Sequence, residues 1–140
     1  MKKSLLIYLA FLAPLICGFD WTFGLAGKCS QAKKIVAVLA EKKNDLERDQ
    51  NEKRVLALCP DGAPGHFVRA LRYERAERPD DAIAEYQECL KDEPDFPKAG
   101  GNLGLLHFRK GMLDEAALEL TKALATDRDP RYLKGLAGIY

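Results

Sequence analysis

Between residues 63 and 130 the order of small, large apolar and polar positions repeats with a shift of 34 residues. Small residues fall on small ones and large residues on large ones: Ala70 on Gly104, Tyr73 on His107, Ala82 on Ala116, Tyr86 on Leu120, Cys89 on Ala123 and Leu90 on Leu124. A fixed period of this length is typical of a repeated helix pair. Two helices are therefore predicted in each copy, over 66–76 and 79–91 and over 98–110 and 113–125.

Turn residues support these boundaries. Pro79, followed by two aspartates, favours a helix start, because proline suits the first turn and acids suit the positive end of the helix dipole. Pro94 and Pro97 prevent continuation of the second helix. Gly111 marks the turn inside the second copy.

The second copy resembles the tetratricopeptide repeat. The family's packing positions are filled there by Leu103, Gly104, Gly111, Ala116, Leu120, Ala123 and Leu124. The first copy departs from the family at Arg69, where a leucine is usual, and at Glu77, where a glycine is usual. The resemblance covers about half of the chain. It implies an all-α solenoid of antiparallel helix pairs that acts by binding, but it names no partner.

The preceding segment, 28–62, contains a degenerate copy of the same 34-residue pattern. Val55, Leu56 and Pro60 fall where Cys89, Leu90 and Pro94 stand in the next copy, whereas Arg48 and Glu52 replace Ala82 and Tyr86. Residues 41–54 are almost wholly charged or polar. The segment is therefore interpreted as a weak helix pair, and the alternative is one long amphipathic helix with a solvated middle.

The N-terminus has the plan of a secretory signal peptide. Lys2 and Lys3 precede an apolar run from Leu5 to Ile16, which is shorter than the roughly 20 residues that a transmembrane helix needs. Small residues at 26–27 suggest cleavage there, and the alternative is an uncleaved anchor. We therefore expect an exported protein of the periplasm or cell envelope, in contact with the membrane only if this segment is retained.

The chain thus divides into five predicted segments. They are a signal peptide at 1–27, a degenerate helix pair at 28–62, two repeats at 63–96 and 97–130, and a final helix at 131–140. The last segment could be a cap, which stacked repeats require, or the start of a further repeat.

Four cysteines in an exported chain invite disulfide pairing. Cys17 would leave with the signal, and Cys89 falls at a small packing position, so it is predicted to be a buried free thiol. Cys29 and Cys59 mark the start and the end of the first helix pair, which are adjacent in an antiparallel pair. They are the predicted disulfide, and the alternative is two free thiols.

Composition narrows the function classes. Lys and Arg number 22 against 21 Asp and Glu, which gives no reason to expect a nucleic-acid partner. No glycine-rich phosphate loop, metal-ligand cluster or nucleophile–base pair is present in the sequence. We therefore expect no catalysis, no cofactor, no metal and no small-molecule substrate. A peptide-binding module and a structural subunit that docks by its repeat edge remain, with a protein of the cell envelope as the partner.

The resemblance also implies a binding surface, because the first helix of each tetratricopeptide pair lines a concave face. The corresponding residues are Phe67, Leu71, Glu74 and Arg75 in the first copy and Lys98, Asn102, Leu105, Phe108 and Arg109 in the second, with Lys33 added from the degenerate pair. An apolar strip with a basic rim suits an amphipathic segment that carries acidic residues, with aromatic side chains as anchors. The alternative is that the apolar members only pack against neighbouring helices.

Overall fold

The computed structural model describes residues 21–39, 44–96 and 98–140, and the predicted signal peptide up to residue 20 lies outside them. These ranges hold seven α-helices: α1 (Trp21–Leu39), α2 (Asp45–Leu58), α3 (Ala63–Arg75), α4 (Pro79–Asp92), α5 (Ala99–Arg109), α6 (Leu113–Leu124) and α7 (Pro130–Ala137). No strand occurs in the described ranges. The predicted all-α fold is confirmed.

The helices form successive antiparallel pairs, α1 with α2, α3 with α4 and α5 with α6, and α7 packs against α5 and α6. Charged residues 45–54 belong to α2, so the segment before residue 60 folds as two helices that pack on each other. Asn44 caps α2, because its side chain accepts a hydrogen bond from the Leu46 amide at 2.9 Å. Each pair contacts the next, and one continuous core runs from α1 to α5.

The 34-residue register is visible in the core. Tyr86 in α4 and Leu120 in α6 are fully buried, as are Ala82 and Ala116 one turn earlier. The corresponding residue of α2 is Glu52, whose exposed fraction is only 1%. A carboxylate therefore fills a site that apolar or aromatic side chains fill in the later pairs.

The first pair is also cross-linked. Cys29 in α1 and Cys59 at the end of α2 form a disulfide, with Cα atoms 4.9 Å apart. Cys89 is a buried free thiol in α4. Burial raises the pKa of the Cys89 thiol to about 12, and the nearby carboxylates of Glu93 and Asp92 act in the same direction.

The contact between the third pair and α7 depends on glycine. A Cβ atom at Gly101 would lie 2.1 Å from Cζ of Tyr132, so only glycine lets the buried tyrosine ring rest on the first turn of α5. A Cβ atom at Gly135 would lie within 3.0 Å of both Leu105 and Leu120. Close backbone approach thus holds α7 against the stack.

Within the described ranges, no helix has the length and apolar character needed to cross a bilayer.

Candidate functional site

A cavity of about 500 Å³ opens on the face formed by the first helix of each pair. We call it the groove pocket. Its apolar lining comes from α1, α3 and the loop after α4, and its polar lining from α1, α2, α3, α5, α7 and the residue just before α5. The lining residues are Lys33, Val36, Ala37, Leu39, Arg48, Glu52, Phe67, Leu71, Arg75, Phe96, Lys98, Asn102 and Arg131. Side chains from both ends of the stack therefore reach one cavity.

A second cavity of about 330 Å³, the side pocket, continues along α3 and α5. Its lining is Leu71, Glu74, Arg75, Asn102, Leu105, Arg109 and Arg131. Leu71, Arg75, Asn102 and Arg131 line both cavities. These four residues form the boundary between the two pockets.

The residues proposed from the sequence gather at these pockets, with one exception. Phe67, Leu71, Arg75, Lys98 and Asn102 line the groove pocket, and Glu74, Leu105 and Arg109 line the side pocket. Phe108 lines neither pocket, because α7 approaches it: a Cβ atom at Gly138 would lie 2.9 Å from its Cζ. Phe108 therefore contacts the C-terminal end of α7, and its role in binding stays a prediction.

Phe67 differs from the expected protruding anchor. Its exposed fraction is 4%, and its ring lies 5.7 Å from the Tyr86 ring and 5.2 Å from the Phe96 ring, measured between centroids. Such aromatic pairs stabilise a core beyond their buried area. Phe67 therefore forms the floor of the groove pocket and supports the fold at the same time.

A buried hydrogen-bond network stiffens the wall between α3, α4 and α5. The Tyr86 hydroxyl donates to Glu74 at 2.7 Å and accepts from the Asn102 side-chain amide at 3.0 Å, while Arg109 donates to Glu74 at 2.9 Å. Burial raises the pKa of the Tyr86 phenol, and the neighbouring Glu74 carboxylate raises it further. The phenol thus keeps its proton and continues to donate.

Ion pairs hold the basic side chains around the groove pocket. Lys33 pairs with Glu93, and its ammonium also lies 5.6 Å from the centroid of the Phe96 ring. Arg131 pairs with Asp129 at 2.7 Å, and this contact keeps the pKa of the aspartate below its usual range. These contacts limit the conformations of two rim side chains before any partner binds.

Glu52 is the centre of a second ionic cluster. Arg72 donates to its carboxylate at 2.9 Å and Arg75 donates to both of its oxygens at 2.8 and 2.7 Å. Both arginines come from α3, so the carboxylate joins the first helix pair to the second. Charge-assisted bonds of this kind compensate the burial of a carboxylate.

The lining of the groove pocket is strongly basic for a chain of nearly zero net charge. It contains five basic side chains and one carboxylate, Glu52, whereas the whole chain carries a formal charge of +1. Four of the five, all except Lys98, pair with carboxylates, and three of these carboxylates lie outside the lining. The cavity therefore presents basic groups above an apolar floor, with part of their charge already compensated. Low-dielectric walls strengthen the attraction of such a cavity for an anionic group.

The sequence reasoning missed four important lining residues, namely Arg48, Glu52, Phe96 and Arg131. Arg48 and Glu52 belong to the second helix of a pair, which the family pattern does not assign to the concave face. Phe96 follows α4 in a loop, where helical periodicity gives no signal. Arg131 lies in the final segment, which the sequence pattern interprets as a cap or the start of a further repeat, and the packing of α7 on α5 and α6 brings it to the groove pocket.

Chemistry beyond binding has little support in the described ranges. They contain no group of three or more His, Cys, Asp or Glu side chains placed to hold a metal ion. His107 is buried, as a packing interpretation of its position predicts. The side chains that gather at the pockets are apolar groups, cationic groups, the amide of Asn102 and the carboxylates of Glu52 and Glu74, and both carboxylates are hydrogen-bonded to arginines.

Comparison with known proteins identifies a related repeat family and a structure with a similar fold. Residues 74–139 match the family model of the tetratricopeptide repeat. Among solved structures, a thermophilic TPR protein from Thermus thermophilus superposes with a TM-score of 0.50 and 26% sequence identity, over 81% of this chain and 64% of that protein. The chain thus spans a little under two thirds of that relative. No curated protein matches it in sequence. The family match covers a little under half of the chain, and together with the structural neighbour it supports an all-α helical-repeat fold that is similar to that of TPR proteins.

Proposed function

We propose that this protein is a non-catalytic adaptor that binds another protein of the cell envelope through its concave face. TPR proteins generally act by protein–protein interaction, and the groove pocket lies on the face formed by the first helices. The observation that carries the proposal is this cavity of about 500 Å³, with its apolar floor and five basic lining side chains. Concave, mostly apolar sites with a few placed polar groups are the usual form of a binding site.

The rigidity of the surroundings supports the same function. The floor residue Phe67 is fixed by two aromatic neighbours, and the Glu74–Tyr86–Asn102 network fixes the adjoining wall. A binding site whose side chains are already ordered loses less conformational entropy when its partner binds. The partner that fits is a segment with an apolar surface and acidic residues.

Export to the periplasm or envelope is part of the proposal. Its support is the basic and apolar N-terminal sequence together with the Cys29–Cys59 bond, since disulfides persist in oxidising compartments. Cell fractionation followed by N-terminal sequencing of the isolated protein tests it. Recovery in the cytoplasm with Met1 or Lys2 at the N-terminus would contradict it.

Site-specific photo-crosslinking tests the binding face. A photoreactive residue at Ala37, which is exposed and lines the groove pocket, should give one dominant protein adduct in the native envelope. The same residue at Lys34 is the control, because Lys34 is exposed on the same helix and does not line the groove pocket. The adduct should be much weaker from Lys34.

The second candidate function is a structural subunit that docks away from the groove. Its support is the exposed apolar surface of α6 and α7, where Leu118 is 70% exposed and Leu133 is 55% exposed. A photoreactive residue at Leu118 reports this contact. Adducts from Leu118 without adducts from Ala37 would favour the structural subunit over the groove adaptor.

A further inference from the structure

We propose that the occupant of the groove pocket is a short protein segment with one bulky apolar side chain beside a carboxylate, read by Arg48 and Arg131. This inference rests on the proposed function and names the kind of partner. The apolar side chain enters the groove pocket, and the carboxylate lies against the arginines at its rim. Arg48 and Arg131 are then the specificity-determining residues.

The size of the cavity sets the length of the inserted part. A volume of about 500 Å³ is roughly that of a single helical turn, given a pitch of about 5.4 Å and a diameter of about 10–12 Å. Side chains from α1, α2 and α7 all line this cavity, so it is bounded at both ends of the stack. A long helix lying along an open groove does not fit these boundaries, whereas one inserted side chain with its neighbours does.

The floor of the cavity selects an apolar group. Val36 and Leu39 come from α1, Phe67 from α3, and Phe96 from the loop after α4, and all four are largely buried. Their carbon atoms offer dispersion contacts on several sides of an inserted ring or branched chain. No side chain of the described residues fills this cavity, so the space is available to an apolar group of a binding partner.

The rim selects a carboxylate, and the protein's own contacts show which arginines are available for it. Arg75 already gives two charge-assisted hydrogen bonds to buried Glu52. Arg48 pairs with Asp45, whose side chain is 86% exposed, and an exposed pair of this kind contributes little and exchanges easily. Arg131 gives three side-chain hydrogen bonds to Asp129 through Nε and Nη2, but its side chain is 59% exposed and lines both pockets, so the rest of its guanidinium is accessible.

Arg131 is the better placed of the two. Its pairing with Asp129 fixes the guanidinium at the boundary between the groove pocket and the side pocket. A guanidinium offers five donors in a rigid fork, so one edge can remain on Asp129 while other donors face an incoming carboxylate. Lys98, which also lines the groove pocket, adds a further positive charge.

Isothermal titration calorimetry with blocked heptapeptides tests the proposal. The reference peptide has a central phenylalanine with two glutamates on each side, and both termini are capped. We expect binding at low salt, a loss of at least tenfold when the phenylalanine becomes alanine, and a similar loss when the glutamates become glutamines. Raising the salt should weaken the reference peptide and leave the glutamine peptide unchanged.

Variants of the protein separate recognition from folding. Arg131→Ala and Arg48→Ala should each weaken the acidic peptide by about five- to tenfold, in the range of a lost charged contact, and leave the glutamine peptide unchanged. Lys134→Ala is the matched control, because Lys134 is exposed on α7 and lines neither pocket. Equal weakening of both peptides by Arg131→Ala would mean a structural role and would overturn the assignment.

Two other results would also overturn it. One is binding of a fatty-acid anion with no binding of the acidic peptide, which would make the ligand a lipid. The other is an acidic 20-residue amphipathic helix whose tight binding is insensitive to Arg131→Ala. If the peptides fail to bind while Ala37 still gives its envelope adduct, the proposed function stands and this inference fails. If the peptides do not bind and Ala37 gives no envelope adduct, both the proposed function and this inference are rejected.

Discussion

The first and third helix pairs occupy equivalent places in the stack, yet their interiors are stabilised by different chemistry. In α6, Leu120 is fully buried and packs against Gly104 and Gly135. The equivalent residue of α2 is Glu52, which is as deeply buried and is held by Arg72 and Arg75. The first pair also carries the disulfide. A repeat can therefore lose its apolar packing residue if ion pairs and a covalent link replace it.

This difference has a functional consequence. The ionic cluster of the first pair lies at the groove pocket, where Arg48, Glu52 and Arg75 all contribute to the lining. In the third pair, α6 contributes nothing to that lining. The weakest repeat by sequence is thus the one that supplies polar recognition groups from both of its helices.

Giving the third pair the buried carboxylate of the first pair should have the largest effect on stability. Leu120→Glu places a carboxylate at a fully buried position, in the close contact with Gly104 and Gly135. We expect the free energy of unfolding to fall by about 3–5 kcal/mol, the usual effect of an uncompensated buried charge. Urea unfolding followed by circular dichroism measures it. A loss below about 1 kcal/mol would show that the third pair tolerates charge as the first does.

Removing the disulfide should have the second largest effect on stability. Cys29→Ser with Cys59→Ser opens a link across a sequence separation of 30 residues, which corresponds to about 3–4 kcal/mol in the chain-entropy model. Hydrogen exchange should increase mainly in α1 and α2, because α3 to α6 keep their own buried core. Uniform exchange throughout the stack would indicate that the pairs unfold as one unit.

The comparison of Leu120 with Glu52 also shows how much of the structure the sequence predicts. The 34-residue pattern, Pro79 and Gly111 give the helix boundaries to within a few residues, because packing positions and turns are local signals. The same pattern brings Leu71 and Asn102 to the groove. Burial of Glu52 is not readable in this way, because the arginines that compensate it lie 20 and 23 residues away on another helix. Their pairing depends on how the helices pack.

Replacing the buried carboxylate should have a smaller effect. Glu52→Leu gives the first pair the residue that the third pair has at this position. The two arginines released are partly exposed, at 35% and 41% of their side-chain area, so water can solvate them. We expect stability to stay within about 1 kcal/mol of the wild type or to rise, as when apolar groups replace a buried ion pair. Thermal and urea unfolding measure the change.

The same variant sharpens the functional side of the comparison. Arg75, free of Glu52, would add its charge to Arg48 and Arg131 in the groove pocket. The acidic heptapeptide should therefore bind several-fold more tightly to Glu52→Leu than to the wild type. Weaker binding would mean that Glu52 orders the arginines for recognition, and that the ionic cluster serves the site more than it competes with the ligand.

The smallest expected effect concerns a turn that the second and third pairs share. Glu77 and Gly111 are 34 residues apart and both have positive φ, 56° and 76°. Their hydrogen bonds also correspond: Arg78 donates to the Tyr73 carbonyl at 2.9 Å, and Met112 donates to the His107 carbonyl at 3.0 Å. The backbone is thus the same, but only one copy has the residue that adopts it without strain.

Glu77→Gly should therefore stabilise the protein, and Gly111→Ala should destabilise it. A non-glycine residue in the left-handed region costs about 1–2 kcal/mol, while glycine adds about 0.5–1 kcal/mol of unfolded-state entropy. The net gain for Glu77→Gly is then about 0.5–1 kcal/mol, with a loss of similar size for Gly111→Ala. A Cβ atom at Gly111 meets nothing within 4 Å, so no steric contact adds to this balance of backbone strain and unfolded-state entropy. If Glu77→Gly destabilises the protein instead, the Glu77 side chain must contribute more to the fold than its backbone strain costs.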